Sequence, residues 1–155
     1  MASDSQSVLL VEDDENDVLL LQRAFRAAGL TAPMRVARDG EEAVEYLTQL
    51  LGDVRALRKE APRLVLLDLK LPRKSGLEVL EWVRQQPGLR RVPMVVLTSS
   101  DEHRDVQRAY DLGANSYLVK PVAHQELTES VRLVGQYWLG LNVGPDLSHD
   151  AEPSA

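Results

Sequence analysis

Five short apolar runs cut this chain at regular intervals, and nearly every one stops at a charged or hydroxyl-bearing residue. Ser7-Val-Leu-Leu-Val11 runs into Glu12 and Asp13, Leu64-Val-Leu-Leu67 into Asp68, Pro93-Met-Val-Val-Leu97 into Thr98, and Ser116-Tyr-Leu-Val119 into Lys120. Met34-Arg-Val-Ala37 is a weaker member of the set. Continuous apolar runs of this length, without alternation, are what strands look like when both faces of a sheet are covered, as in parallel sheets. The stretches between them have helical periodicity, so the chain reads as five strand-then-helix units. Such alternation demands a parallel sheet with helices on both faces and right-handed crossovers. The fold class is α/β.

The helices carry their own punctuation. Val18, Leu19, Leu20, Leu21, Ala24, Phe25 and Ala28 make a broad apolar stripe that Gly29 closes. Asp39, with Glu42 three residues later, forms a helix start ahead of Ala43, Val44, Tyr46, Leu47 and Leu50. Gly52 to Pro62 reads as a helix tail or a loop, with Val54–Leu57 as an extra helical turn. Ser75-Gly76-Leu77 opens a helix that puts Val79, Leu80 and Val83 inward, and Asp101 is the expected cap of the helix through Val106, Ala109 and Leu112. The last helix passes through Leu127, Val131 and Val134 to about Leu139. One domain over 1–141 followed by a polar, disordered tail over 142–155 is the expected organisation.

Composition removes several function classes. There is no cysteine, so thiol chemistry and disulfides are excluded, and at this length a core closes without them. No apolar run approaches the ~20 residues that cross a bilayer, which argues against a membrane span. The first seven residues lack the basic start and apolar stretch of a secretory signal, so a cytoplasmic location is expected. Lys and Arg total 18 against 24 Asp and Glu, a net charge of −6 that disfavours nonspecific nucleic-acid binding.

In an open α/β sheet, ligands sit beyond the carboxyl ends of the strands. Those ends bring Glu12, Asp13, Asp68, Thr98 and Lys120 to one edge. Carboxylates so close repel one another unless a cation lies among them, and oxygen ligands suit Mg²⁺ or Mn²⁺. Asp14 and Glu15 read as ordinary acids of a helix first turn. His103, His124 and His149 lack metal-ligand spacing and are read as solvated.

The combination of Glu12-Asp13, Asp68 with Pro72 and Gly76 downstream, Thr98, and Lys120-Pro121 resembles the receiver domain of bacterial two-component response regulators, over about Ser7 to Leu139. Val11-Glu-Asp13, the long segment 52–62, Leu69-Lys-Leu-Pro-Arg73, Val95-Val-Leu-Thr-Ser-Ser100 and Tyr137-Trp-Leu139 are similar to the single-domain regulators of phytochrome-type histidine kinases. The resemblance implies a flavodoxin-like sheet of strand order 2-1-3-4-5, and Asp68 as phosphoacceptor from a kinase phosphohistidine. It implies Mg²⁺ held by Asp13, Asp68 and the main-chain carbonyl of Lys70, with Glu12 acting through water. Lys120 would pair with the phosphoryl group, Thr98 would donate its hydroxyl to it, and Tyr117 would be the switch aromatic. Pro121 would follow a cis bond, and Lys70 and Ser100 would border the path of a hydrolytic water.

Competing readings have weaker support. A dehalogenase-type nucleophilic Asp needs a second Asp two residues on, where this chain has Lys70. Neither G-x-G spacing nor a glycine-rich loop before Lys-Ser/Thr is present, so both nucleotide-phosphate fingerprints fail. A phosphate-independent receiver-like scaffold would not need the full set of Asp13, Asp68, Thr98 and Lys120. The protein is therefore expected to act as a stand-alone signalling phosphoacceptor rather than an enzyme, since the residues after Leu139 are too few for a DNA-binding module. The apolar bulk of Val131, Val134, Tyr137, Trp138, Leu139 and Leu141 predicts a homodimer contact.

Overall fold

The computed structural model describes residues 7–147, so Met1–Gln6, on which the leader reading rests, and 148–155, including His149, lie outside the described residues. Five strands, β1 (Val8–Val11), β2 (Met34–Ala37), β3 (Leu64–Leu67), β4 (Met94–Thr98) and β5 (Ser116–Val119), form one parallel sheet of order β2-β1-β3-β4-β5. Between and after them run α1 (Glu15–Ala27), α2 (Gly40–Leu51), α3 (Val54–Glu60), α4 (Gly76–Gln85), α5 (His103–Asp111) and α6 (His124–Gln136), ending in a π-helical turn, Tyr137–Leu141. The extra turn expected at Val54–Leu57 is the start of α3, capped by Asp53, whose carboxylate accepts from the Arg55 amide at 2.9 Å.

Period-two alternation sorts the strand side chains into two cores. Leu9, Val11, Val65, Leu67, Met94 and Val96 pack under α2, α3, α4 and Ala109 of α5. Val8, Leu10, Leu64, Leu66, Val95 and Leu97 pack under α1 and α6. β1 and β3 are buried at every position, as continuous apolar runs require, because helices cover both faces.

Two helix starts, at Asp39 and Ser75, match their sequence signals, while Asp14, read as a first-turn acid, is the N-cap of α1. Asp39 accepts from the Glu42 amide at 2.8 Å, and Glu42 reaches back to the Arg38 amide at 3.1 Å. Ser75 accepts from the Glu78 amide at 3.2 Å, and Asp14 from the amides of Asn16 and Asp17 at 2.8 and 3.1 Å. Asp101 does not cap α5. The N-cap is Glu102, with no side-chain bond, while the Glu102 amide lies 3.4 Å from the Ser100 hydroxyl oxygen.

A cross-tie that the sequence hid sets β4 against β5. The Arg84 guanidinium donates to Gly113 O from Nε (3.0 Å) and Nη2 (2.8 Å), to Arg90 O (2.8 Å) and Val92 O (2.7 Å) from Nη1, and to Asn115 Oδ1 (2.9 Å) from Nη2. Asn115 Oδ1 also accepts from the Met94 amide at 2.7 Å, so the entries to both strands are pinned together.

The C-terminal end packs back on the body in two places. Trp138 and Leu139 fold back on the core beneath α1 and α6, leaving Tyr137 and Leu141 at 50% and 78% exposure. A π turn advances fewer degrees per residue than an α-helix, which swings Trp138 back toward the body. Residues 142–147 are attached: Arg63 Nη2 donates to Asn142 O at 2.8 Å, and Leu147 rests on the other core. Burying Leu147 offsets the entropy that the polar composition was expected to keep.

Candidate functional site

Sheet register builds the site. The amide of Asp68 donates to Val11 O at 3.0 Å, and that of Glu12 to Ala37 O at 3.0 Å, so the ends of β1 and β3 lie side by side. The Lys120 amide donates to Thr98 O at 2.7 Å, tying β5 to β4 at the same edge. Glu12, Asp13 and Asp68 each offer a carboxylate oxygen, and these oxygens lie within 4.8 Å of one another. The five residues that the strand ends pointed to are thus neighbours, with Asp13 exposed and Glu12 only 1% exposed.

Their charges are distributed unevenly. Lys120 Nζ donates to Glu12 Oε1 in a short contact and to Asp17 Oδ2 at 2.8 Å, and lies 3.6 Å from Asp68 Oδ2. Burial works to lower the Lys120 pKa, but the hydrogen bonds to Asp17 and Glu12 outweigh it and the pKa is raised. Lys120 is therefore a fixed cation. Burial pushes Glu12 up to about 7, aided by the Asp68 carboxylate and opposed by the hydrogen bond from Lys120. Asp68 Oδ1 accepts from the Leu69 amide at 2.7 Å, which leaves Oδ2 on the side facing Lys120.

Thr98 is fully buried, and its Oγ1 has no hydrogen-bond partner. Buried hydroxyls are nearly always satisfied, so an orphan one at the end of β4, on the strand edge that also carries Lys120, suits an acceptor that a bound group would supply. Tyr117 is half-buried and donates from its hydroxyl to Ser100 O at 2.8 Å, and burial raises its pKa against that bond. Lys70 is exposed in the loop after Asp68. Ser100 is buried and donates to Asp105 Oδ2 at 2.5 Å. No peptide bond among the described residues is cis, so Pro121 follows a trans bond, the isomer that X–Pro favours by about 0.5–1 kcal/mol.

Asp17 was missed by sequence reasoning, because an acid in a helix first turn already has a sufficient explanation in the helix dipole. No spacing rule links it to Lys120. Two cavities lie away from this site: one of about 330 Å³ is lined by Leu57, Pro93 and Leu147 among others, and one of about 580 Å³ lies between the Gly29–Pro33 loop and the C-terminal turn.

A divalent cation fits the carboxylates. The donors are all oxygen, and Glu12 is a buried acid facing Asp68, an arrangement that a cation relieves. A pH test follows. The folded pKa of Glu12, about 7, exceeds its unfolded value of 4.5, so the folded state holds the extra proton between them. Stability in chelator is expected to fall as pH rises from about 5 to 7, and denaturant midpoints across that range check the slope. A midpoint that rises instead would place the Glu12 proton wrongly.

The family described as response regulator receiver domain matches residues 8–132. The chain is 42% identical over 144 residues to the probable methanogenesis regulatory protein FilR2 of Methanothrix harundinacea, covering 93% of this chain and 90% of that protein. It is 38% identical over 132 residues to response regulator Rcp1 of Synechocystis, covering 85% and 88%. The crystal structure of Mn(2+)-bound Rcp1 superposes with a TM-score of 0.78 at 36% identity, over 90% of this chain and 98% of that one. That of the phosphorylated cyanobacterial phytochrome response regulator RcpA superposes with a TM-score of 0.80 at 35% identity, over 90% and 97%. Among the described residues no helix is long and apolar enough to cross a membrane.

Proposed function

Because the chain belongs to the response regulator receiver domain family, we propose that it accepts a phosphoryl group on Asp68 from a histidine kinase. An Asp68 carboxylate oxygen attacks phosphorus, the P–N bond of the phosphohistidine breaks, and its electron pair returns to the imidazole. The orphaned Thr98 Oγ1 is the observation that carries this reading, since a phosphoryl oxygen on Asp68 supplies the acceptor it lacks. Lys120 balances the charge of a second oxygen.

Asp13 and Asp68 would hold Mg²⁺ with the Lys70 carbonyl, and Glu12 would hold it through water; Mn²⁺ is the other candidate, as the manganese-bound Rcp1 relative suggests. Once bound, the metal screens the approach of an anionic phosphoryl group to an anionic nucleophile. Tyr117 would then follow Thr98 inward, giving up its bond to Ser100 O. The protein would act in the cytoplasm as a signalling phosphoacceptor, without substrate turnover of its own. Likeness to RcpA favours a phytochrome-type kinase as partner.

Acetyl phosphate with Mg²⁺ tests the reading on the full chain. Intact mass is expected to rise by one phosphoryl group, lost on alkaline treatment as an acyl phosphate must be. A folded protein that gains nothing would instead be a phosphate-independent scaffold.

The assembly is a separate proposal. Tyr137 and Leu141, with Leu133 at 53% exposure, form the apolar surface left by the C-terminal end, and a second copy is its proposed occupant. Light scattering is expected to show a dimer for the wild type and a shift toward monomer on truncation after Gln136. A monomeric wild type, or a truncation that stays fully dimeric, removes the proposal.

A further inference from the structure

An ammonium carries three N–H donors on a flexible four-carbon stem, so proximity alone does not aim it. Around Lys120 two of those donors have fixed acceptors: Glu12 Oε1, and Asp17 Oδ2 at 2.8 Å. The third remains for Asp68, whose Oδ2 lies 3.6 Å away, just beyond hydrogen-bond reach. Glu12 is anchored by the end of β1 and Asp17 by the first turn of α1, where the Asp17 amide donates to the capping Asp14 Oδ1 at 3.1 Å. Two elements on one side of the sheet edge thus grip a lysine delivered from β5.

We propose that Asp17 is a positioning residue for phosphoryl transfer, taking one ammonium N–H of Lys120 so that the remaining one faces the group arriving on Asp68. The inference rests on the phosphoacceptor reading. It also makes the sign of an effect informative. Counted as charge alone, Asp17 adds one more anion to a site that must admit an anionic donor, so deleting it should speed the reaction. As a positioning residue, it should slow the reaction when deleted.

The initial rate of acetyl phosphate labelling in saturating Mg²⁺, read by intact mass on the full chain, separates the two. Asp17→Ala is expected to slow labelling about three- to tenfold, a coupling of the size seen between contacting polar groups. Asp17→Asn, which keeps an acceptor but loses the charge, should fall between, and Asp17→Glu should recover part of the rate. In a Lys120→Ala background, Asp17→Ala should change the residual rate by less than about twofold, because the residue it positions is gone. Half-saturating Mg²⁺ should stay within about twofold throughout. Labelling of Asp17→Ala at or above the wild-type rate overturns the proposal, as does an equal loss with and without Lys120. If Asp17→Ala does not fold, the near-isosteric Asp17→Asn decides, and a wild-type rate there has the same force. A wild type that takes up no label removes the phosphoacceptor reading itself, and the role of Asp17 with it.

Discussion

Asp68→Asn is expected to abolish phosphoryl uptake, from acetyl phosphate and from a kinase alike, while leaving the protein folded. The amide preserves shape and an oxygen to accept from the Leu69 amide, the bond at 2.7 Å that orients the native carboxylate. What disappears is the anionic nucleophile, and a carboxamide oxygen does not form a stable acyl phosphate under these conditions. Stability should be preserved or raised by up to about 1 kcal/mol, because one carboxylate leaves a cluster whose oxygens lie within 4.8 Å of one another. The measurements are intact mass after donor and Mg²⁺, and the urea midpoint. Labelling of folded Asp68→Asn at the wild-type rate would move the phosphoacceptor to another residue.

Gly76→Ala carries the largest expected structural effect. A Cβ at Gly76 would lie 2.1 Å from Asp68 O and 2.7 Å from Leu69 Cα, both backbone atoms that cannot swing aside. The loop from Asp68 to Ser75 must then move away from α4, against the hydrogen bond that the Gly76 amide donates to Leu69 O at 3.0 Å. A loss of about 2–4 kcal/mol in unfolding free energy is expected, together with slower labelling of Asp68. Gly52→Ala is the control: its Cβ would meet only Gln49 O at 3.6 Å, an ordinary contact in an ordinary helical conformation. That variant should stay within about 0.5 kcal/mol of wild type. Equal urea midpoints for Gly76→Ala and Gly52→Ala would show that the loop yields without cost.

What could be read from the residues follows a physical division. A carboxylate directly after a wholly apolar run has to be held by something, so Asp68 and the Glu12-Asp13 pair announced themselves from position alone. Thr98 and Lys120 were visible for the same reason, each ending a strand. The strand order came from the family resemblance, because four-residue parallel strands look alike whichever neighbours they take. Asp17 was hidden because its contact spans from α1 to the end of β5, and the helix dipole explained it already. Arg84 was hidden for a related reason: all of its bonds run to carbonyl-type oxygens, which any chain offers everywhere. Asp101 misled because it carries the better cap signal, yet α5 begins one residue later with Glu102 at the cap position and no side-chain cap bond. Trp138 left two readings open, an exposed partner surface or a fold back over the sheet edge, because composition does not show that the winding changes at Tyr137–Leu141.

The two outer strands of the sheet, β2 and β5, each offer one row of unpaired amides and carbonyls to the surroundings. Both are four residues long, and proline lies near one limit of each: Pro33 immediately precedes β2, and Pro121 lies two residues beyond Val119, the last residue of β5. An edge of this length with a proline beside it gives a passing chain too few donors to template further strands. The sheet is therefore closed to runaway growth at both sides. Any chain that meets either side must therefore be recognised through side chains rather than by strand addition.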